Sequence, residues 1–171
     1  MGIRTAPQPS KDTEAAHCLS GNLGWLLSQA HYALASELIA AFEPLGVSSR
    51  GYKVLAAAMD GDRTQKELAD LVGLDKTTMV VTVDELEAAG LAERRPSVTD
   101  RRARVITVTK AGERKVAEGR KVVDRVQADV LAALPERDRR ALLEGLGSLV
   151  RGRLSVPVEC NPPLRRREPR G

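Results

Sequence analysis

The chain has 171 residues, of which 42% are hydrophobic, and carries a formal net charge of +4 at neutral pH. This length suits one domain, or a small domain with an appendage, and the apolar content suffices for a core. Its one Trp, one Phe and two Tyr are too few for the stacking surfaces of a single-stranded RNA binder. Two cysteines exclude a disulfide-built scaffold. With no signal-peptide pattern and no apolar run of the roughly 18–20 residues that span a bilayer, a cytoplasmic location is expected.

The first helical pattern covers residues 19–42. Its apolar residues form a stripe too wide for a single contact, which predicts burial against its own domain and a second subunit. Pro44 ends this helix. Ser48 or Ser49 is expected to cap a second helix over roughly residues 50–59.

Two short helical patterns then meet at a glycine, over residues 64–90. Thr64 and Glu67 have the spacing of a capping box, and Gly73 can adopt the positive φ that ends the first helix. Asp75 occupies the N-cap position of the second helix. The inward face of that second helix carries Met79, Val83 and Leu86. This pattern predicts a helix-turn-helix whose second helix enters the major groove of DNA.

A hairpin rich in arginine follows. Segments 91–95 and 104–108 are short and rich in apolar or β-branched residues, as strands are, and turn-forming residues separate them. Five arginines and one acid, Asp100, lie between positions 94 and 104. Such a hairpin is expected to bind phosphates or the minor groove, in agreement with a sequence pI of about 9.3. Together with the helix-turn-helix, it predicts a winged helix.

Two further helices are predicted after the hairpin. Thr109 is a suitable cap for a helix that reaches about residue 134, in which valines repeat every seven residues at 116, 123 and 130. Pro135 suits the first turn of a last helix, which reaches about residue 154.

The predicted fold class is mainly α with a small β-wing. It combines a winged helix-turn-helix DNA-binding domain at residues 48–108 with a helical dimerisation region at 19–47 and 109–154. Residues 1–18 are polar and predict a flexible arm, and residues 155–171 predict a flexible basic tail rich in proline and arginine.

The spacing of five residues around the second strand is a specific motif: Asp100, Arg102, Val108, Thr109 and Gly112. It resembles the wing signature of the MarR family of bacterial transcription regulators, which is D-x-R, five residues, Leu-Thr and then x-x-Gly, with valine here replacing leucine. Residues 74–91 resemble the family's recognition helix, and the likeness extends over about 19–154. The resemblance implies a homodimer that binds a palindromic operator as a repressor and releases it on binding a small, aromatic or anionic effector.

The candidate DNA-binding residues lie on the recognition helix and the wing. Arg102 leads, because the negative potential of a narrow minor groove attracts a wing arginine. The resemblance implies that Asp100 pairs with an arginine and braces the wing. Lys76 is a candidate phosphate contact, although a solvated lysine fits equally well. The full set is Lys76, Thr77, Thr78, Val81, Arg94, Arg95, Asp100, Arg101, Arg102 and Arg104.

The outward face of the recognition helix departs from the family's pattern. Relatives often carry threonine near Val80 and arginine near Val81, and this sequence has neither. The hydroxyls of Thr77 and Thr78 can bond phosphates or bases, whereas valine can only touch a thymine methyl. Specificity is therefore expected to depend on thymine methyls, the wing and DNA shape.

Ligand sensing is implied by the resemblance, because small anionic aromatic molecules often bind relatives between the dimerisation helices and the DNA-binding lobe. Each candidate here is also compatible with an ordinary core or surface role. His31 stands out as a polar residue on an apolar helix. The candidates are Trp25, His31, Tyr32, Arg50 and Tyr52.

Two other functions stay open at this point. Cys18 and Cys160 allow a thiol-based oxidation sensor, although the family's sensing cysteine aligns near Gly24 and incidental thiols are the simpler interpretation. Val80 and Val81 allow a winged-helix protein-interaction module with weakened DNA binding. An enzyme is not expected, because no nucleophile motif, phosphate loop or metal-ligand spacing is present, and no cofactor or metal is expected either.

Overall fold

A computed structural model describes residues 19–97, 103–156 and 158, and these contain six α-helices and one two-stranded antiparallel sheet. The predicted class, mainly α with a small β-wing, is confirmed. A short 3-10 helix, Glu43–Leu45, follows the first helix. In chain order the elements are α1 Leu23–Phe42, α2 Ser49–Ala58, α3 Gln65–Val72, α4 Lys76–Ala88, β1 Ala92–Pro96, β2 Arg104–Val108, α5 Lys110–Ala132 and α6 Glu136–Arg151.

Polar side chains determine where several helices begin. Helix α1 begins four residues later than predicted, because the Asn22 side chain accepts a hydrogen bond from the Trp25 backbone N–H at 2.9 Å and so acts as its N-cap. At α2, Ser48 is the N-cap, and its hydroxyl accepts from Gly51 N at 3.0 Å. Pro135 occupies the N-cap position of α6 rather than its first turn.

The helix-turn-helix is built from the predicted caps. The Thr64 hydroxyl accepts from Glu67 N at 3.2 Å, and the Glu67 carboxylate accepts from Thr64 N at 2.7 Å, which completes the capping box. Gly73 ends α3 with φ 74°, a conformation that glycine adopts without a steric penalty. Asp75 then caps α4 by accepting from Thr78 N at 2.9 Å. These local bonds determine where α3 ends and where α4 begins.

The main core lies in the lobe formed by α2, α3, α4 and the sheet. Met79, Val83 and Leu86 point inward from α4 as predicted, and they pack with Leu55 of α2 and Leu68 of α3. The burial of these side chains on one side of α4 leaves its opposite face in solvent. The strands pair in a register that places Arg94 opposite Ile106 and Pro96 opposite Arg104.

Helix α5 approaches this lobe through two glycines. A Cβ added at Gly112 would lie 2.1 Å from the Leu91 carbonyl oxygen, and one at Gly119 would lie 2.4 Å from the Tyr52 ring. The Tyr52 ring packs against Phe42 with the centroids 5.1 Å apart. Burial raises the pKa of the Tyr52 phenol, an effect that the neighbouring Arg120 partly opposes.

Helices α1 and α6 bury little of their apolar surface. Phe42 is the one buried residue of α1, and α6 has none. Leucines and valines stay exposed along both helices, with Leu23 at 53% and Val150 at 62%. Within the described ranges, no helix has the length and apolar character needed to cross a membrane.

Candidate nucleic-acid interface

The outer face of α4 is an exposed surface of the lobe. It begins with Lys76 and Thr77, both exposed, and continues through Val80 and Val81 to Asp84. Val81 is 46% exposed, so its methyl groups are available to a partner. The face therefore offers a cation and a hydroxyl at its N-terminal end, an apolar centre, and an acid farther along.

Thr78 differs from Thr77 because its hydroxyl already has a partner. Thr78 is half-buried, and its Oγ1 donates to Asp75 Oδ2 at 2.7 Å. The Thr82 hydroxyl is buried and donates to the Thr78 carbonyl at 2.7 Å. Of these threonines, Thr77 is the one that presents its hydroxyl to solvent, while Thr78 keeps only acceptor capacity.

A cleft of about 500 Å³ lies beside the N-terminal end of α4. Its apolar residues are Ala69, Leu74 and Met79. Among the residues that the structure describes, three cationic side chains from three different elements also line it, together with Gln65 and the acid Asp70. The cations are Lys66 of α3, Lys76 of α4 and Arg104 of β2. We refer to these three residues as the cation cluster.

Lys66 was not among the residues selected from the sequence. A signal was present, because Lys66 occupies the second position of α3, where the helix dipole disfavours a cation. A lysine at such a place loses a little helix stability, and a negatively charged partner would offset that loss.

The first strand of the wing directs neighbouring arginines to opposite sides. Arg95 is exposed and its guanidinium pairs with Glu93, two residues earlier on the same side of the strand, at 2.9 Å. Arg94 points the other way, toward α4. Of the other wing residues selected from the sequence, Arg104 belongs to the cation cluster, and Asp100, Arg101 and Arg102 lie outside the described residues.

The Arg94 guanidinium has partners on α3 and α4. Its Nη2 lies 2.7 Å from Asp84 Oδ1, its Nη1 pairs with Glu87, and its Nε donates to the Gln65 side chain at 3.2 Å. The Arg94 backbone N–H also donates to Glu87 at 2.7 Å. Only 22% of the side chain is exposed.

The five candidate ligand-binding residues fall into two groups. Trp25 is half-buried, and His31 and Tyr32 are exposed along α1. Arg50 and Tyr52 are half-buried on α2, where Tyr52 contacts Phe42 at the far end of α1. A helical rise of 1.5 Å per residue places Phe42 roughly 15 Å beyond Tyr32 along the axis. One chain alone therefore holds the two groups apart.

Arg50 has a feature that favours an anionic partner. Its Nη2 lies 3.6 Å from Glu85, but its Nε is buried and has no hydrogen-bond partner among the described residues. A buried donor without an acceptor costs free energy that a bound carboxylate would recover. Cys18 and Cys160 lie outside the described residues, which contain no cluster of acidic, histidine or cysteine side chains suited to a metal ion.

Comparison with known proteins identifies the family. The family model for the MarR family matches residues 45–103. CouR from Rhodococcus jostii, solved bound to p-coumaroyl-CoA, is 30% identical, and the match covers 77% of this chain and 93% of CouR with a TM-score of 0.67. The chain belongs to the MarR family.

Two further MarR-type structures agree with this assignment. CouR bound to a 23-mer DNA duplex is 29% identical over 79% of this chain and 96% of that one, with a TM-score of 0.70. A Mycobacterium tuberculosis MarR family protein in complex with p-aminosalicylic acid is 28% identical over 75% of this chain and 98% of that one, with a TM-score of 0.65. MarR-family proteins are winged-helix transcription regulators, so the prediction that this chain is not an enzyme is confirmed by its family.

Proposed function

We propose that this MarR-family regulator is a homodimeric repressor that binds a palindromic DNA operator and is released from it by a small effector. The observation that carries the proposal is the exposed face of α4 beside the cation cluster. Lys66, Lys76 and Arg104 come from three elements and line one cleft, so their charges lie on one surface. A duplex carries a regular array of phosphates that such a surface can neutralise.

In the proposed complex, α4 enters the major groove and the wing follows the adjacent minor groove. Lys66, Lys76 and Thr77 bond phosphates, and Val81 meets a thymine methyl. CouR, a relative in sequence and fold, has been solved on a DNA duplex, which supports this docking. The proposed wing contacts are Arg95, Asp100, Arg101, Arg102 and Arg104.

The proposed dimer is formed by α1, α5 and α6. Helix α6 buries no residue within its own chain, and exposed apolar side chains continue along α1. A single chain would leave these apolar side chains in water, and a contiguous exposed apolar patch commonly marks a protein–protein contact. Pairing two chains about a two-fold axis covers the patch and presents two α4 helices to symmetric half-sites about one helical turn apart.

The proposed effector is a small aromatic or anionic molecule. CouR with p-coumaroyl-CoA and the Mycobacterium tuberculosis protein with p-aminosalicylic acid show that relatives take compounds of this class. In this chain we place the effector near the junction of α1 and α2, with the half-buried Arg50 guanidinium toward its anionic group and Tyr52 toward its ring. The candidates on α1 would contact this effector only if dimerisation brings α1 of the second subunit close to it; they are Trp25, His31 and Tyr32.

A titration of labelled duplexes tests the proposal. The duplexes are the region upstream of the chain's own coding sequence and a random sequence of equal length, each at several salt concentrations. We expect tighter binding to the upstream region, a loss of affinity as salt rises, and release on addition of p-aminosalicylate or p-coumaroyl-CoA. Equal binding to both duplexes at every salt concentration would overturn sequence-specific recognition.

Matched charge-removal variants locate the surface. Lys76→Gln removes one proposed phosphate contact and is expected to lower the salt slope by about one unit. Lys121→Gln removes the same charge from an exposed position on α5 and should leave that slope unchanged. Equal slopes for the two variants would place the DNA on a different surface.

A further inference from the structure

Arg94 joins three elements of the DNA-binding lobe through one guanidinium. It lies on β1, donates to Gln65 at the start of α3, and pairs with Asp84 and Glu87 on α4. Its Nη2 also lies 3.3 Å from the Val80 carbonyl on the same helix. Gln65 is 29 positions earlier in the chain than Arg94, so this side chain connects the wing to both helices of the helix-turn-helix.

The charges around Arg94 are predominantly acidic. Asp84 is 59% exposed and Glu87 is 33% exposed, so both carboxylates lie close to the surface that would face DNA. Without a nearby cation they would repel the phosphates of an approaching duplex. The planar guanidinium can hold both carboxylates at once, which an ammonium group does poorly.

The same contacts occupy the atoms with which Arg94 would bind a phosphate. Nε, Nη1 and Nη2 each have an acceptor within the chain. A phosphate contact would require Arg94 to leave two carboxylates, one of them only one-third exposed. Leaving a partly buried carboxylate without its partner costs more than an exposed ion pair returns.

We infer that Arg94 is a positioning residue for DNA binding: through Asp84, Glu87 and Gln65 it fixes the wing against α4 and neutralises the acidic end of the recognition surface, without touching a phosphate itself. The inference rests on the proposed DNA-binding function. Arg95 has a different environment from Arg94: it carries the same charge one residue later, but its side chain is exposed on the opposite side of the strand.

A mutant cycle measured by operator affinity tests this role. The four proteins are the wild type, Arg94→Gln, the pair Asp84→Asn with Glu87→Gln, and all three changes together. We expect Arg94→Gln to weaken operator binding at least tenfold, because two unneutralised carboxylates then face the duplex. Removing both acids should strengthen binding in the Arg94→Gln background, because it removes the repulsion, but weaken it in the wild type, because Arg94 then loses its carboxylate partners on α4. Such strong coupling identifies residues that act through one another.

Arg95→Gln is the matched control. It removes an identical charge from the neighbouring position, and removal of the two acids should have the same effect in this background as in the wild type. Salt dependence gives a second readout. A lost phosphate contact reduces the salt slope by about one unit, whereas the loss of a charge that only neutralises nearby acids removes no phosphate contact and leaves the slope unchanged. Thermal unfolding of each variant checks that the lobe is folded.

The outcomes are distinct. If removing the acids changes affinity equally in the wild-type and Arg94→Gln backgrounds, or tightens wild-type binding by freeing Arg94, then Arg94 is an ordinary phosphate contact and the inference is wrong. If Arg94→Gln does not fold, Arg94→Lys keeps the charge but not the planar group that holds both carboxylates; we then expect weaker operator binding at an unchanged salt slope, and wild-type affinity would overturn the positioning role. If the wild type shows no preference for the operator, the proposed function fails first and the positioning role falls with it.

Discussion

Gly112 is the position at which a single methyl group should disturb the lobe most. An alanine Cβ there would lie 2.1 Å from the Leu91 carbonyl oxygen and 2.7 Å from a Val108 methyl group. Contacts below 3.0 Å are essentially absent for real Cβ atoms, so α5 must move away from Leu91 by about 0.9 Å (3.0 minus 2.1). The oxygen belongs to the backbone and also accepts a hydrogen bond from Thr109 N at 3.1 Å, so it cannot move away without disturbing that hydrogen bond.

The expected change in stability combines two opposing terms. Overpacking of this kind costs about 1–3 kcal/mol, and a rigid backbone obstacle places Gly112→Ala at the upper end. Alanine recovers about 1 kcal/mol of helix propensity relative to glycine. The net loss is about 1–2 kcal/mol, which lowers the unfolding midpoint by roughly 2–8 °C for a chain of this size.

Thermal unfolding followed by circular dichroism measures this change. Ala117→Gly is the reverse control on the same helix, because Ala117 is exposed and its replacement reports the propensity term by itself. We expect it to cost about 0.5–1 kcal/mol. If Gly112→Ala were instead as stable as the wild type, or more stable, α5 would not pack against Leu91 as closely as described.

Three shorter predictions concern the capping box, the recognition helix and the wing. A hydrogen bond from the Thr64 backbone holds the pKa of Glu67 below its ordinary value of 4.5. The stability that the Glu67 carboxylate contributes is therefore complete above pH 4.5 and is lost as the pH falls through the lower pKa of the folded state. Glu67→Gln should flatten this acid dependence in denaturant titrations between about pH 5 and pH 2. Val81→Ala should discriminate less than the wild type against replacing thymine by uracil in the operator, and identical responses would mean that Val81 reads no methyl group. Arg102→Ala should weaken operator binding by about 1–3 kcal/mol with an unchanged unfolding midpoint, and an affinity within error of the wild type would remove Arg102 from the proposed site.

The parts of the fold that local chemistry determines could be predicted from the sequence. The Thr64–Glu67 capping box, the positive φ of Gly73 and the Asp75 cap each depend on residues within a few positions of one another. The start of α1 lies four residues after the first residue of the helical pattern, because the asparagine side chain of Asn22 caps the helix there and periodicity alone does not register a cap.

Contacts between distant segments could not be predicted in the same way. Alternation along a strand places neighbouring side chains on opposite sides, but it cannot show that Asp84, Glu87 and Gln65 lie beside Arg94. The convergence of the cation cluster likewise depends on the packing of α3, α4 and β2, which no spacing in the sequence contains. The wing tip and both ends of the chain lie outside the described residues, so those parts of the sequence interpretation remain predictions.

Sedimentation velocity of the protein with and without a duplex from its own upstream region tests the central proposal most directly. We predict a two-chain species at micromolar concentration without DNA, because a second copy would cover the apolar side chains that α1 and α6 expose in a single chain. Adding the duplex should give a complex of two chains per palindromic site, which a random duplex does not form at the same salt concentration. A stable single chain without DNA, or one chain bound per site, would contradict the homodimeric regulator proposed here.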